Sequence, residues 1–113
     1  MTAIHSASRD LNLNKKGYLA HFDDWDRGIA LALAAADGLT LTDAHWQVIA
    51  FMRQYYVANE IPPTPRVVVK AVGPAVSAHV PWTRQQLEDL FPDGGCRQAC
   101  RIAGLPDYYC AGC

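Results

Sequence analysis

The chain has 113 residues, of which 50% are apolar and 19% are charged, with a formal net charge of -1 at pH 7. This length suits one compact domain, and the composition excludes a disordered chain. The charge gives no overall attraction to nucleic acid, and the longest apolar run, Ile29 to Ala36, is too short to span a membrane.

The N-terminal third predicts a short two-stranded ribbon followed by a first helix. In "LNLNKKGYL" the leucines alternate with polar residues around a turn sequence, which is typical of a β-hairpin. The stretch "DDWDRGIALALAAADG" combines good helix formers with Asp23 or Asp24 as the N-cap. Gly38 then occupies the left-handed position that ends a helix.

Two helices are predicted in the middle of the chain. The segment 42–59 has Thr42 as its cap, and apolar residues recur along it at helical spacing. In "PPTPRVVVKAVG", Thr64 is a cap, Pro65 suits the first helical position and Gly73 is expected to end the helix. These signals outweigh the strand propensity of the three valines.

Two short helices are predicted towards the C terminus. Thr83 and Gln86 form the sequence pattern of a capping box, and a proline ends the helix that they begin. A fifth helix is expected over 95–103. The chain is therefore predicted to be a mostly helical domain over residues 1–104, with a mobile cysteine-containing arm over 105–113.

All four cysteines lie in the final stretch, "CRQACRIAGLPDYYCAGC". The N terminus lacks the basic start and apolar run of a secretory signal, so we expect a cytoplasmic protein, in which structural disulfides are rare. Three interpretations compete: buried structural cysteines, a zinc site built from the C-x3-C and C-x2-C pairs, and thiol chemistry. Thiol chemistry is favoured, because a terminal thiol on an arm can reach into a partner's active site.

The surroundings of the cysteines differ in charge. Cys96 falls in the first turn of its predicted helix, which favours a thiolate. Cys100 lies beside Arg97 and Arg101, which favour a thiolate as well. Cys113 carries its own α-carboxylate, which disfavours the thiolate, so we expect a partner to activate this residue.

The stretch "LFPDGGCRQACRIAGLP" closely resembles the C-terminal signature of the DsrC/TusE family, the gamma subunit of dissimilatory sulfite reductase and its relatives in the tRNA-thiolation sulfur relay. The resemblance extends through "GYL", "HW", "FMRQYY" and "PRVVVKAVG", and so covers most of the chain. It implies a mainly α fold: a small orthogonal helical bundle with a helix-turn-helix-like core, a short N-terminal β-hairpin and a flexible C-terminal arm.

The resemblance also implies a function. Members of this family carry sulfur: an arm cysteine accepts persulfide sulfur and passes it to partner proteins, and in the DsrC branch an upstream cysteine joins it in a disulfide or trisulfide. Such a carrier acts as a protein co-substrate rather than as an enzyme, and it holds sulfur covalently without a cofactor. The implied partners are dissimilatory sulfite reductase or a DsrEFH/TusBCD-like sulfurtransferase, with a membrane thiol-redox complex as the reductant.

Three cysteines are candidates for this chemistry, and Cys100 matches the upstream cysteine of the DsrC branch. The arm reads "AGLPDYYCAGC" where the family usually has "AGLPKPTGC" plus one residue. Cys113 lies 13 residues beyond Cys100 and Cys110 lies 10 residues beyond it, and the family spacing falls between these values. Cys113 is favoured as the arm thiol because Gly112 precedes it and because it stands at the extreme end; Cys110 is the alternative. Cys96 is an additional thiol with a modulating role.

Basic and polar residues outside the tail are further candidates. Arg66 and Lys70 lie four apart on one predicted helical face, where they would steer the arm or bind an anionic partner. A solvated charged face is the alternative for this pair and for Arg53. His45 and Trp46 open the long helix, and we expect His45 to form structural hydrogen bonds.

A function of another class competes with the sulfur carrier. A helix-turn-helix-like core is also typical of a regulatory protein that binds nucleic acid and senses thiol redox state or zinc. That function requires a basic recognition helix, yet the predicted helix 42–59 contains Arg53 as its only lysine or arginine. We therefore favour the sulfur carrier.

Overall fold

The chain forms five helices after a minimal two-stranded sheet, in a computed structural model that describes residues 5–6, 9–10, 13, 18–19, 21–61, 63–76, 82–106 and 110. Strands β1 (His5–Ser6) and β2 (Arg9–Asp10) pair antiparallel, and a 3-10 turn at Phe22–Asp24 follows. The helices are α1 (Arg27–Ala36), α2 (Asp43–Asn59), α3 (Pro65–Val76), α4 (Arg84–Leu90) and α5 (Cys96–Ile102). The predicted mainly α fold is confirmed. Across the described ranges, every helix falls short of the combined length and hydropathy of a transmembrane span.

The core is organised around α2. This helix packs against both α3 and α5, while α1 also contacts α5 and α3 contacts α4. Apolar side chains without solvent exposure come from all five helices: Ile29, Leu33, Val48, Met52, Val68, Leu87 and Ile102. This packing places α5, which contains two of the cysteines, against two other helices.

The N-cap of α1 differs from the prediction. Asp23 and Asp24 lie in the 3-10 turn, and the chain is extended at Trp25 before the helix begins. Asp26 is the cap instead, since its side chain accepts a hydrogen bond from the backbone N–H of Ile29 at 2.8 Å. The predicted caps are wrong because only the aspartate directly before the helix can reach its free N–H groups.

The predicted caps of α2 and α4 are confirmed. Thr42 precedes α2, and its backbone N–H donates to Nδ1 of His45 at 2.9 Å. Thr83 precedes α4, and its backbone N–H donates to the side-chain carbonyl of Gln86. Both are capping boxes, so local sequence sets the first turns of these helices.

Helix α3 continues beyond its predicted end at Gly73, through Pro74 to Val76. A Cβ atom at position 73 would lie 2.9 Å from Cβ of Trp82, so this glycine permits a close approach of the chain before α4 rather than ending the helix. Pro74 lies near the end of the helix, where its missing N–H removes one backbone hydrogen bond.

The predicted N-terminal β-hairpin is not borne out. In place of the ladder expected around "NKKG", the described residues show a single antiparallel bridge between Leu13 and Leu19, and the paired strands β1 and β2 lie earlier in the chain. The predicted turn sequence between Leu13 and Tyr18 lies outside the described residues.

Candidate functional site

The C-terminal cysteines form the centre of the candidate site. Cys100, in α5, and Cys110 are joined by a disulfide bond, with their Cα atoms 5.6 Å apart. Both residues are fully buried. The structure therefore brings together two of the three candidates. The favoured arm thiol, Cys113, lies outside the described residues, and the mobility predicted for 105–113 stays a prediction.

The end of α5 turns the chain back towards Cys100. Gly104 has a φ of +81°, and its N–H donates to the carbonyl of Arg101 at 3.0 Å. The N–H of Leu105 donates to the carbonyl of Cys100 at 3.2 Å. These two bonds make a Schellman motif, which ends a helix and reverses the chain. A Cβ atom at position 104 would lie 2.5 Å from Cδ1 of Trp25, so only glycine fits this turn.

Two side chains from outside α5 bind the carbonyl groups at its end. The indole N–H of Trp25 donates to the carbonyl of Ile102 at 2.9 Å, and Nη1 of Arg53 donates to the carbonyl of Ala103 at 2.8 Å. Together with the Schellman bonds, they satisfy the four terminal carbonyls that a helix leaves unpaired. We refer to Trp25 and Arg53 as the α5 clamp.

Arg53 is a structural residue, not part of a solvated charged face. Its guanidinium carbon lies 3.9 Å from the ring centroid of Phe22 and 4.2 Å from that of Trp25. Partial burial lowers the pKa of the Arg53 guanidinium, and the Asp23 carboxylate partly offsets this effect. The only lysine or arginine of α2 is thus directed onto α5, which leaves α2 without the basic group that recognition of nucleic acid requires.

Asp37, which follows α1, neutralises the arginine next to Cys100. Its Oδ2 accepts hydrogen bonds from Nη2 of Arg101 and, at 3.0 Å, from Nε2 of Gln98. The side-chain carbonyl of Gln98 accepts from the backbone N–H of Asp93 at 2.9 Å, so both ends of this buried amide are paired. The charge of Arg101, which the sequence places beside Cys100, is therefore compensated by the Asp37 carboxylate.

Cys96 is oxidised as well. It takes part in a disulfide, is 4% exposed, and places its Sγ 3.6 Å from the carbonyl oxygen of Pro63. A disulfide sulfur carries no proton and is not a thiolate, so this contact is not a hydrogen bond and the oxidised cysteines offer no zinc ligand. Within the described part of the chain, no three His, Cys, Asp or Glu side chains cluster as a metal site.

The remaining candidate residues lie on α3 and α2. Arg66 and Lys70 are both exposed on α3, and their role in steering the arm or binding a partner stays a prediction. His45 is 5% exposed, and its Nε2 lies 2.7 Å from the carbonyl oxygen of Leu90. These contacts confirm the structural role predicted for His45.

The α5 clamp and the contact of Asp37 were not predicted from the sequence. Their partners lie 77, 50 and 64 positions away along the chain, for Trp25, Arg53 and Asp37 respectively. One signal was present: Arg53 interrupts the apolar stripe of α2, and a charged residue at such a position often finishes in a buried hydrogen bond.

Comparison with known proteins gives consistent results. The sequence matches the family described as "DsrC like protein" over residues 5–111. It is 40% identical over 97 residues to the sulfurtransferase TusE of Sodalis glossinidius (strain morsitans), covering 86% of this chain and 89% of that protein. The NMR structure of Allochromatium vinosum DsrC has a TM-score of 0.77 at 40% identity and covers 88% of each chain. The crystal structure of the oxidized gamma-subunit of the dissimilatory sulfite reductase (DsrC) from Archaeoglobus fulgidus has a TM-score of 0.81 at 31% identity, covering 91% of this chain and 93% of that chain.

Proposed function

This chain belongs to the DsrC/TusE family, and from that membership we propose that it is a sulfur carrier, which accepts sulfur on a cysteine of its C-terminal segment and passes it to partner proteins. One observation carries the proposal for these residues: Cys110, near the C terminus, is bonded to Cys100 of α5. The thiol that accepts sulfur and the thiol that later displaces it must come within bonding distance of each other, as these two cysteines do.

The first step loads the carrier. The Cys110 thiolate attacks the terminal sulfur of a persulfide donor; the S–S bond of the donor breaks, Cys110 becomes a persulfide and the donor leaves as a thiolate. Cys110 is preferred to Cys113 here because its sulfur is the one bonded to Cys100.

The second step either delivers the sulfur or closes the disulfide. Attack by a partner thiolate on the terminal sulfur of the persulfide transfers that sulfur and restores the Cys110 thiolate. Attack by the Cys100 thiolate on Sγ of Cys110 forms the disulfide and releases hydrosulfide, so the carried sulfur is reduced as the two thiols are oxidised. Sulfur stays covalently bound throughout, and no cofactor takes part.

The names of the relatives support two classes of partner. One relative is a sulfurtransferase and another is a subunit of dissimilatory sulfite reductase. For this chain the proposed partners are a sulfite reductase or a DsrEFH/TusBCD-like sulfurtransferase, with a membrane thiol-redox complex reopening the disulfide. In this scheme the protein acts in the cytoplasm as a co-substrate of enzymes.

Sulfur uptake tests the function. The reduced full-length protein is incubated with glutathione persulfide and followed by intact and peptide mass spectrometry. We expect wild type and Cys113→Ser to gain one sulfur atom transiently, with release of hydrogen sulfide as the disulfide closes. Cys100→Ser should keep the added sulfur, because the displacing thiol is absent, and Cys110→Ser should gain none.

Two other outcomes are informative. Loss of uptake in Cys113→Ser alone would keep the function and move the accepting thiol to Cys113, as the sequence favours. Absence of uptake in wild type and in every variant would exclude a sulfur carrier.

A further inference from the structure

The Cys100–Cys110 disulfide is closed off from thiols in solution. Neither of its two cysteines has any exposed surface. Thiol–disulfide exchange needs direct contact between the attacking sulfur and the sulfur that it attacks, so its rate depends on access. One of the two cysteines must therefore leave its place before the disulfide can be reduced, and their surroundings differ.

Cys100 is held by the whole of α5. This helix packs against α1 and α2, and Ala99 and Ile102, which lie close to Cys100 in the helix, are fully buried. The carbonyl of Cys100 accepts a hydrogen bond from the N–H of Leu105 in the turn that ends the helix. The α5 clamp and Asp37 attach the same helix to the first half of the chain. Exposing Cys100 therefore means separating α5 from its neighbours.

Cys110 is held by contacts that are local in the sequence. Its N–H donates to the carbonyl of Pro106 at 3.1 Å, and its Sγ lies 3.9 Å from the carbonyl oxygen of Leu105. Both partners come shortly before Cys110 in the chain. Because local contacts open at a lower free energy than the packing of core helices, Cys110 becomes accessible before Cys100 does.

We infer that Cys110 is the site at which an incoming thiol forms a mixed disulfide, with Cys100 as the leaving thiolate. In the first step the attacking thiolate bonds to Sγ of Cys110, the Cys100–Cys110 bond breaks, and the Cys100 thiolate takes up a proton. In the second step another thiolate of the reductant attacks the reductant's sulfur in the mixed disulfide. This releases the Cys110 thiolate and leaves the reductant as a disulfide, so two electrons pass to the protein.

This inference deepens the proposed function, on which its consequence for the carrier rests. The partner that reopens the disulfide becomes covalently joined to Cys110, while Cys100 stays in the core. The same sulfur therefore meets the sulfur donor, the sulfur acceptor and the reductant.

Glutathione tests this assignment in the full-length double variant Cys96→Ser, Cys113→Ser, which keeps only the two paired cysteines, with wild type in parallel. The oxidised protein is mixed with reduced glutathione, alkylated with N-ethylmaleimide at timed intervals and digested with trypsin. Cleavage after Arg97 and Arg101 places Cys100 and Cys110 on separate peptides, so mass spectrometry shows which of them carries glutathione.

We expect glutathione on Cys110 at least about ten times more often than on Cys100 in the folded protein. The mixed disulfide should form at least about ten times more slowly than in urea, where both sulfurs are exposed. In urea the preference for Cys110 should fall, because α5 no longer shields Cys100.

Asp37→Ala tests the physical reason for the preference. It removes the acceptor of Arg101 and Gln98, so α5 is attached less firmly and the share of glutathione on Cys100 should rise severalfold. Asp89→Ala, at an exposed position of α4, is the matched control and should leave the share unchanged.

Glutathione found equally on both cysteines of the folded protein would overturn the inference. A reaction as fast as in urea would overturn it as well, because the disulfide would then be open to solvent, and so would an unchanged share in Asp37→Ala. None of these measurements requires sulfur uptake. If no reduced chain accepts sulfur from glutathione persulfide, the proposed function fails, while the glutathione mapping still decides which sulfur is attacked.

Discussion

His45 takes part both in the N-cap of α2 and in a contact with a residue far away in the sequence. Its Nδ1 accepts a hydrogen bond from the N–H of Thr42, which leaves Nε2 to donate to the carbonyl of Leu90 at 2.7 Å. The imidazole also meets the ring of Phe91 edge-on, with centroids 5.0 Å apart. One buried side chain therefore both begins α2 and attaches it to the end of α4.

Replacing this residue should be costly. In His45→Ala, α2 loses its capping box and the partly buried carbonyl of Leu90 loses its donor, so we expect the free energy of unfolding to fall by about 2–3 kcal/mol. Urea denaturation measures the change. Gln47→Ala, at an exposed position of the same helix, should change it by less than about 0.5 kcal/mol, and an equal loss in both variants would refute this account of His45.

Helix α5 depends on contacts with other parts of the chain. It has seven residues, too few for an isolated helix to be stable in water. The α5 clamp holds its C-terminal end from α2 and from the segment before α1, and Asp37 pairs with Arg101 on its last turn. The position of Cys100 is therefore set by groups that come from the first half of the chain.

Arg53→Lys tests the α5 clamp at constant charge. Lysine lacks the planar group that reaches the Ala103 carbonyl and stacks on two rings, so we expect a loss of about 1–3 kcal/mol in the free energy of unfolding. We also expect the Cys100–Cys110 disulfide to re-form several times more slowly from the reduced protein, as measured by timed alkylation.

The control for this variant is Arg84→Lys, whose arginine side chain is 71% exposed on α4. It should change neither quantity. If Arg53→Lys lost stability but formed the disulfide at the wild-type rate, the α5 clamp would stabilise the fold without positioning Cys100.

As a whole, the molecule is one folded unit that includes the Cys100–Cys110 disulfide. Its radius of gyration is 13.4 Å, close to the ~13 Å of a single compact domain of this length. Leu105 and Cys110, which the sequence analysis assigned to an arm, are both fully buried. Oxidation of the cysteines should therefore contribute to global stability.

In the Cys96→Ser background, which lacks the disulfide of Cys96, the contribution measured is that of the Cys100–Cys110 pair. Its two cysteines are 10 residues apart, so we expect reduction to lower the free energy of unfolding by about 3 kcal/mol. Urea denaturation with and without reductant measures the difference. The triple variant Cys96→Ser, Cys100→Ser, Cys110→Ser, which keeps a single cysteine, should not respond to reductant. An unresponsive Cys96→Ser would show that the Cys100–Cys110 pair lies outside the cooperative unit.

The features predicted correctly are local or come from the family resemblance. Thr83 was identified with Gln86 because this capping box is written in four consecutive residues, and Thr42 was identified as the threonine that precedes an apolar-periodic segment. The resemblance to the DsrC/TusE family identified Cys100 as the upstream cysteine. The α5 clamp and the pairing of Asp37 with Arg101 were not predicted, because hydrophobic periodicity reports which face of a helix is buried and not which distant side chain reaches it.

The α5 clamp also divides the sequence into a part that resists change and a part that tolerates it. An insertion before Leu105 would move the carbonyls of Ile102 and Ala103 away from their donors, and any side chain at position 104 would displace Trp25. The similarity to the family changes at the same point. The stretch "CRIAGLP" agrees with the family signature, and the tail differs from the family arm in length and composition from Asp107 onward. A tail that differs beyond a fixed exit can be fitted to a different partner, while Cys100 and the C-terminal end of its helix keep their place.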